Sequence, residues 1–165
     1  MMLTDRLGLP LLAAGQAQKE ITHNEALSRL DVIAQAVVES ADISTPPAAP
    51  EAGQCWVVGA GAVAAWLGKE EMIANWSAGG WLFLSPGADW RVWVRDRGHM
   101  IRFDGVTWVD DPVRNDGIYL GDVRVIAARQ EAIGAPAGGV IQDLEARNAI
   151  AAILDALRTH GLIEE

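Results

Sequence analysis

Two stretches with helical spacing flank a central region whose pattern is typical of β-strands. In the first stretch, apolar residues recur in alternating steps of three and four, which predicts a helix over about residues 16–38. This spacing gives a helix one narrow apolar seam, as in a short coiled coil. Extending the seam backwards places His23 on it and Asn24 beside it. The candidate oligomerisation residues of this helix are His23, Asn24, Leu27, Leu30, Ala34 and Val37.

The helix begins with a polar run, "QAQKEITHN", where an isolated amphipathic helix would start its apolar stripe. On the axis of a helical bundle, a His or Asn side chain bonds its symmetry mates and fixes register and strand number. His23 and Asn24 are candidates for that role. The alternative is that both are solvated residues of the first helical turns.

The second helical stretch begins at about residue 142 and continues nearly to the end of the sequence. Asp143 suits the N-cap, Glu145 suits the positive end of the helix dipole, and Gly161 is placed to end the helix. Its seam contains Ala146 and three further candidate oligomerisation residues, Ile150, Ile153 and Leu157.

The region between them, about 54–126, contains short segments rich in β-branched and aromatic residues, separated by Gly, Pro or Asp. The predicted strands are "CWVV", "WLFL", "DWRVWVRD", "HMIRF", "VTWVD" and one or two within "GIYLGDVRVIAA". In "MIRFDGVTWV", Asp104-Gly105 predicts a two-residue type I′ turn. For the stretch 62–75 we predict a loop and a short helix around "EEMIAN".

Together these patterns predict an α+β fold with an N-terminal coiled-coil-like helix, a small Trp-rich antiparallel β unit and a C-terminal helix. The expected divisions are 1–45 (arm and oligomerisation helix), 46–135 (β domain) and 136–165 (linker and helix), with "STPPAAPEAG" and "GAPAGGV" at the boundaries. Because isolated helices this short are marginal in water, we expect a homo-oligomer, with a trimer preferred.

Charge and cysteine content narrow the classes of partner. The formal net charge of −9 argues against nucleic acid and anionic membranes, because both attract clustered Lys and Arg. The start, "MMLTDRLGLPLLAAG", lacks the basic and continuous apolar segments of a signal peptide, so we expect a soluble protein made in the cytoplasm. The single cysteine, Cys55, forms no intramolecular disulfide and suits a core position.

The sequence carries none of the common catalytic signatures. His23, His99 and His160 lie in three different segments, and "GAGAVAAWLGKEE" does not match a phosphate-binding glycine loop. The closely spaced carboxylates, Asp89, Asp104, Asp110 and Asp111, sit at turn positions where Asp is common for backbone reasons. We therefore expect no enzymatic activity and no metal or cofactor.

Tryptophan is the informative residue type, with seven Trp against one Tyr and two Phe. Trp56, Trp81, Trp90 and Trp108 are assigned to the core. In "DWRVWVRD", strand alternation places Arg91, Trp93 and Arg95 on the face opposite Val92 and Val94. An indole face stacks on a pyranose ring while polar neighbours bond the hydroxyls. The candidate glycan-binding residues are Trp93, Arg91, Arg95, Trp66 and Trp76; the rival interpretation buries Trp93 in a subunit interface.

Three segments resemble one known family. "LPLLAAGQAQKEITHNEALSRLD" resembles the opening signature of a domain of unknown function found in tail fibres and head spikes of tailed phages and in alphaproteobacterial gene transfer agents. "AAWLGKEEMIANWSAGGWLFLSPGADWRVWVRDRGHMIRFDGVTWV" is similar to the Trp-rich unit of that domain, and "VIAARQEAIGAPAGGVIQDLEARNAIAAILDALRTHGLI" to the region that follows it.

The resemblance implies a homotrimeric structural protein of a phage-like particle, assembled in the bacterial cytoplasm and located in the virion. It implies contact with other virion or baseplate proteins and with a bacterial surface polysaccharide, but no catalytic residues. The alternative is a carbohydrate-binding module with no structural role in a particle; a small glycan hydrolase is a third, weaker possibility.

Overall fold

The computed structural model describes residues 2–13, 15, 19–121, 123–139 and 143–164. It confirms the α+β class and groups the chain into two compact units, Met1–Asn115 and Asp116–Glu165. The helices are α1 (Lys19–Ile33) and α2 (Leu144–Thr159), with one 3-10 turn at Ala64–Trp66. The strands are β1 (Val37–Val38), β2 (Cys55–Val57), β3 (Ile73–Ser77), β4 (Gly80–Leu84), β5 (Arg91–Val94), β6 (His99–Phe103), β7 (Trp108–Asp110), β8 (Val113–Arg114), β9 (Gly117–Leu120) and β10 (Val123–Ile126).

The first unit contains two sheets. One is antiparallel with the order β2-β3-β4, and the other has the order β1-β5-β6-β7. Within the second sheet, β5, β6 and β7 are antiparallel, whereas β1 pairs with β5 in parallel, with Val37 opposite Trp93. The N-terminal segment therefore supplies a strand to the β unit and is not separate from it, in contrast to the predicted boundary at residue 45.

Strand β2 lies between two hydrophobic clusters, because successive side chains of a strand point to opposite sides. Cys55 and Val57 face the larger cluster, and Trp56 faces the smaller one. The buried residues of the larger cluster are Val32, Val38, Cys55, Val57, Ile73, Leu84, Val92, Val94 and Ile101. The smaller cluster, called here the tryptophan cluster, buries Trp56, Val58, Ala62, Trp66 and Ala74, with Trp76, Trp81 and Phe83 packed against it.

An N-terminal arm, residues 2–13, is fastened to the C-terminal end of α1. The Asp31 carboxylate accepts hydrogen bonds from the Thr4 hydroxyl (2.7 Å) and from the backbone N–H groups of Arg6 (2.9 Å) and Leu7 (2.7 Å). The Arg6 guanidinium donates to the carbonyls of Asp31, Val32 and Gln35. The carbonyls of Asp31 and Val32 are among those that a helix leaves unpaired at its C-terminus, so Arg6 caps α1.

Asn24 joins the same arm to the middle of α1, and this corrects one interpretation of the polar run. Its side-chain oxygen accepts from the Leu12 N–H (2.9 Å), and its amide donates to the Leu12 carbonyl (3.0 Å). The Asn24 side chain thus pairs with its own chain and is not presented to a bundle axis. His23, next to it, is exposed.

The first helix is shorter than predicted. It ends at Ile33, and Gln35 adopts a left-handed backbone conformation with φ +50°, which breaks the helix. Ala34 consequently lies in a turn and Val37 in β1, so neither continues a helical seam with Leu27 and Leu30. The predicted start at residue 16 lies outside the described residues.

Two local predictions in the β unit are also wrong. The "EEMIAN" stretch is not helical, since Ile73–Ser77 forms β3 and pairs on both sides with β2 and β4. The β6–β7 hairpin exists, but Phe103 pairs with Trp108, so its loop has four residues. The Asp104 carboxylate accepts from the N–H groups of Val106 and Thr107, which favours this wider loop over a type I′ turn.

The second unit comprises the antiparallel β9–β10 pair and α2. Asp143 accepts from the Ala146 N–H (2.9 Å), and Gly161 has φ +69° after the helix, so both predicted helix ends are confirmed. Gln130 forms a parallel bridge with Ile163 that closes the unit.

Among the residues that the structure describes, no helix is long and apolar enough to cross a membrane.

Candidate functional site

The outer face of β5 carries the strongest sequence-predicted site. Val92 and Val94 are fully buried in the larger cluster, while Arg91, Trp93 and Arg95 point away from it, as the alternation predicted. The Trp93 side chain is 38% exposed. We call Arg91, Trp93 and Arg95 the β5 face.

The position of Trp93 is fixed by backbone pairing on both sides. Its N–H donates to the Ala36 carbonyl (2.9 Å) next to β1, and it lies opposite Met100 in β6. Neighbouring side chains across such pairs stand close together. The backbone that carries the indole is therefore held on an internal strand of a sheet.

The two arginines are held loosely by carboxylates. Arg91 lies 3.5 Å from Asp111 and 3.6 Å from Asp89, and Arg95 lies 3.6 Å from Glu39. Both arginine side chains are more than half exposed. Exposed pairs of this length contribute little stability, so the guanidinium groups can turn to a ligand at small cost. The sequence pattern did not identify these carboxylate partners.

The two arginines of the β5 face each line a cleft. The larger, about 460 Å³, extends between the N-terminal arm and β5 and is lined by polar groups that include Arg95, Glu39 and Gln54. The smaller, about 280 Å³, is lined by Ile33, Ala36, Trp90, Arg91 and Val92. Arg95 thus lines a polar cleft and Arg91 a more apolar one, whereas Trp93 lines neither of the two.

Two of the predicted glycan-binding residues do not join this face. Trp66 is fully buried, with its ring centroid 5.2 Å from that of Trp81 in an edge-to-face arrangement. A ring without exposed area cannot stack on a ligand, so the prediction for Trp66 is corrected. Trp76 is half-buried and packs edge-on against Trp81 at 5.0 Å, in the tryptophan cluster.

A charged cluster that the sequence did not indicate surrounds Asp110 at the end of β7. Arg97 donates to its carboxylate (2.7 Å), the His99 ring nitrogen Nε2 lies 3.1 Å away, and Arg114 lies 3.4 Å away. Arg97 also binds Asp42. Burial alone would raise the pKa of Asp110, but the His99 contact and the arginine charges together lower it by more than burial raises it, so the net pKa is below the ordinary value. This cluster ties the β5–β6 turn to β7 and to the segment after β1.

The sign of this shift gives a testable pH dependence. Because the folded state lowers the Asp110 pKa, the ionised carboxylate stabilises the fold above its ordinary pKa, and this stabilisation is lost as the pH falls through the folded-state pKa. We expect Asp110→Asn to lower the free energy of unfolding by about 1.5 kcal/mol at pH 7, and the difference from wild type to shrink below about pH 4.

The measurement is urea unfolding followed by circular dichroism from pH 7 to pH 2.5. The matched control is Asp96→Asn, which changes an exposed carboxylate one residue before Arg97. A difference between Asp110→Asn and wild type that stays constant over the whole pH range would contradict the ion-pair account.

The arrangement on the β5 face is suited to binding. It offers an aromatic surface, cationic donors and carboxylate acceptors on one rigid sheet. Across the described ranges of the chain, no group of three or more His, Cys, Asp or Glu residues is placed to hold a metal ion. Cys55 is buried, and burial raises the pKa of its thiol, which keeps it in the unreactive protonated form.

The chain matches a known protein family. The model of a family described as a protein of unknown function (DUF2793) matches residues 23–109, which is more than half of the chain. The matched segment includes most of α1, both hydrophobic clusters and the whole β5 face. Among curated proteins, none matches this chain.

Proposed function

The chain belongs to the DUF2793 family, and from that premise we propose that it is a structural, non-enzymatic subunit of a phage-like particle that attaches the particle to a bacterial surface. The subunit is a tail fibre or head spike and works as a homo-oligomer, with the trimer preferred. It is assembled with other virion or baseplate proteins in the bacterial cytoplasm.

The observation that carries the proposal is the β5 face. Trp93 is exposed on a paired strand between Arg91 and Arg95, and each of these arginines lines a cleft. An exposed aromatic side chain on a paired strand suits an attachment surface, because the backbone is already ordered and little conformational entropy is lost on binding. The resemblance of the opening signature to tail-fibre and head-spike domains supports the placement in a particle.

Imaging of purified particles tests this placement. Particles from cells that make this chain with a small C-terminal epitope tag are labelled with gold-conjugated antibody and examined by electron microscopy. We expect label at fibres or spikes, and loss of cell adsorption when the chain is deleted. Particles that carry no label and adsorb normally without the chain would refute the proposal.

A second candidate function follows from the same face: a carbohydrate-binding module that recognises a surface polysaccharide without a structural role. The exposed Trp93 indole would stack on a sugar ring, and the Arg–carboxylate pairs supply donors and acceptors for ring hydroxyls. The gold-labelling experiment distinguishes the two candidates. A free-standing module would bind glycan but would give no label on the particles.

Glycan binding itself gives a prediction at Trp93. We expect Trp93→Ala to weaken binding of purified capsular polysaccharide at least about tenfold, equivalent to about 1.4 kcal/mol of lost stacking. The measurement is biolayer interferometry with immobilised polysaccharide. The matched control is Leu67→Ala, which removes another exposed apolar side chain of the same unit. Equal binding by Trp93→Ala and the control would contradict the sugar-stacking interpretation. Release of reducing ends from the polysaccharide by the wild type would instead favour a glycan hydrolase.

A further inference from the structure

The smaller of the two clefts beside β5 has the composition of a ligand site. Its volume is about 280 Å³, and its lining residues all belong to the first unit: Ile33, Ala36, Trp90, Arg91 and Val92. We call it the Trp90 cleft. Ligand sites are mostly apolar, with a few polar groups that orient the ligand, and sites for drug-sized molecules begin at about 300 Å³. The Trp90 cleft therefore suits a ligand that consists of one ring.

The cleft exists because β1 covers only part of β5. The parallel pairing extends over Trp93 and Val94, and Gln35, with φ +50°, turns the chain between α1 and β1. In the described sheet, no residue of β1 therefore lies beside Arg91, at the start of β5. The Trp93 N–H donates to the Ala36 carbonyl, on the β1 side. Since N–H groups two positions apart on a strand point to the same side, the Arg91 N–H is directed at the uncovered edge.

Trp90 gives the cleft an aromatic wall. Its side chain is half-buried and packs against the larger cluster while it lines the cleft. Gly87 leaves room for the indole, because a Cβ atom at this position would lie 3.0 Å from Trp90 Nε1. The aliphatic wall is formed by the fully buried Val92 and by Ile33, which is 37% exposed. An indole beside aliphatic side chains suits the apolar face of a sugar ring.

Arg91 is the charged residue of the cleft. Its guanidinium lies 3.6 Å from Asp89 and 3.5 Å from Asp111, and neither carboxylate lines the cleft. Charge-assisted hydrogen bonds are shorter, at about 2.7–2.9 Å, so Arg91 is able to form a closer, bidentate pair with a ligand carboxylate. Asp89 also lies 3.8 Å from Arg102, so it keeps a cationic neighbour when Arg91 turns to a ligand.

The larger cleft has a different character. Its lining carboxylates, Asp5, Glu39 and Glu51, outnumber its guanidinium groups, and its described lining residues include no aromatic ring. An anionic ring is therefore favoured in the Trp90 cleft and disfavoured in the larger one. The net charge of −9 does not change this preference, because exposed charges more than about 8 Å apart are screened at physiological ionic strength.

We propose that the Trp90 cleft binds a carboxylate-bearing sugar, a uronic acid residue of a bacterial surface polysaccharide. The sugar ring lies against Trp90 and Ile33, and its carboxylate binds the Arg91 guanidinium. The proposal rests on the attachment to a surface polysaccharide in the proposed function, and it names the class of sugar. It also gives a binding role to Trp90, which the sequence pattern assigned to the core.

An NMR titration of the full chain tests the class of ligand. The tryptophan indole N–H signals are followed during addition of sodium glucuronate, and the Trp90 signal is identified by its absence from Trp90→Phe. We expect glucuronate to shift this signal and to bind at least about tenfold more tightly than its methyl ester, which lacks the charge, or acetate, which lacks the ring. Equal binding of the ester or of acetate, or no shift with glucuronate, would overturn the proposal.

Two pairs of variants test the location. Arg91→Gln should weaken glucuronate binding at least about tenfold, whereas Arg29→Gln, which removes an exposed charge from α1, should bind as the wild type does. Ala36→Leu should fill the Trp90 cleft and block binding with Arg91 still present, whereas Ala34→Leu, in the larger cleft, should not. Wild-type binding by Arg91→Gln or Ala36→Leu, or equal loss in either control, would contradict the assignment.

The outcomes separate this cleft from the proposed function. Glucuronate binding by a chain that is absent from labelled particles would refute the virion role and leave the cleft in place. Polysaccharide binding that is lost in Trp93→Ala but kept in Arg91→Gln would overturn the cleft and leave attachment through the β5 face in place.

Discussion

Trp66→Ala is expected to lower the free energy of unfolding by about 4 kcal/mol. The Trp66 side chain is fully buried at the centre of the tryptophan cluster, with ring centroids 6.2 Å from Trp56 and 5.2 Å from Trp81. Truncation to Ala removes its buried area, leaves a cavity and breaks two aromatic contacts. Urea unfolding followed by far-ultraviolet circular dichroism measures the loss.

Two variants separate the cavity from other effects of losing a tryptophan. Trp93→Ala removes an exposed indole and should cost less than about 1 kcal/mol. Trp66→Phe should cost less than Trp66→Ala, because it keeps an aromatic edge against Trp81 and removes an indole N–H that has no hydrogen-bond partner among the described residues. Equal costs for Trp66→Ala and Trp93→Ala would contradict the buried position of Trp66.

Asp31→Ala is expected to lower the free energy of unfolding by about 3 kcal/mol and to release the N-terminal arm. The carboxylate is only 4% exposed and accepts from the Thr4 hydroxyl and two backbone N–H groups of the arm. Removing it leaves those donors without their acceptor, and hydrogen bonds to a charged group are among the stronger ones. Arm release should appear as faster trypsin cleavage after Arg6.

The matched control is Asp5→Ala, which removes an exposed carboxylate from the same arm and should change stability by less than about 0.5 kcal/mol. Thr4→Val is a graded test, since it removes one of the three donors and should cost about 1 kcal/mol. Unchanged trypsin cleavage in Asp31→Ala would mean that the arm is held by other contacts.

The predictions from the sequence were most accurate where a single physical rule determines the local structure. In β5, period-two alternation separates buried Val92 and Val94 from the exposed residues between them, and both faces are as predicted. The ends of α2 were predictable for the same reason, because an N-cap aspartate and a left-handed glycine act on adjacent backbone groups.

The failures are places where contacts distant in sequence decide the local structure. The apolar spacing continues past Ile33, but the backbone turns at Gln35 and Val37 joins β5. Helical periodicity cannot reveal a strand partner so far along the chain. Asn24 looked like a bundle residue because its partner, Leu12, is in an arm without periodic pattern.

The candidate site was predicted in part for the same reasons. Arg91, Trp93 and Arg95 occupy alternate positions along one extended segment, so their shared face could be predicted from the sequence. Their clefts and the carboxylates Glu39 and Asp111 come from other segments and were not. Trp66 was misassigned because its burial depends on rings contributed by β2 and β4.

The parallel pairing of β1 with β5 constrains the order in which the chain folds during synthesis. Val37 and its partner Trp93 are more than fifty positions apart, and β2, β3 and β4 all lie within the loop that this pairing closes. The three-stranded sheet has only local pairings and can form as soon as it leaves the ribosome. The N-terminal strand waits unpaired until β5 emerges, so slowing synthesis between residues 84 and 94 should lengthen the time for which the unfinished chain is sensitive to protease.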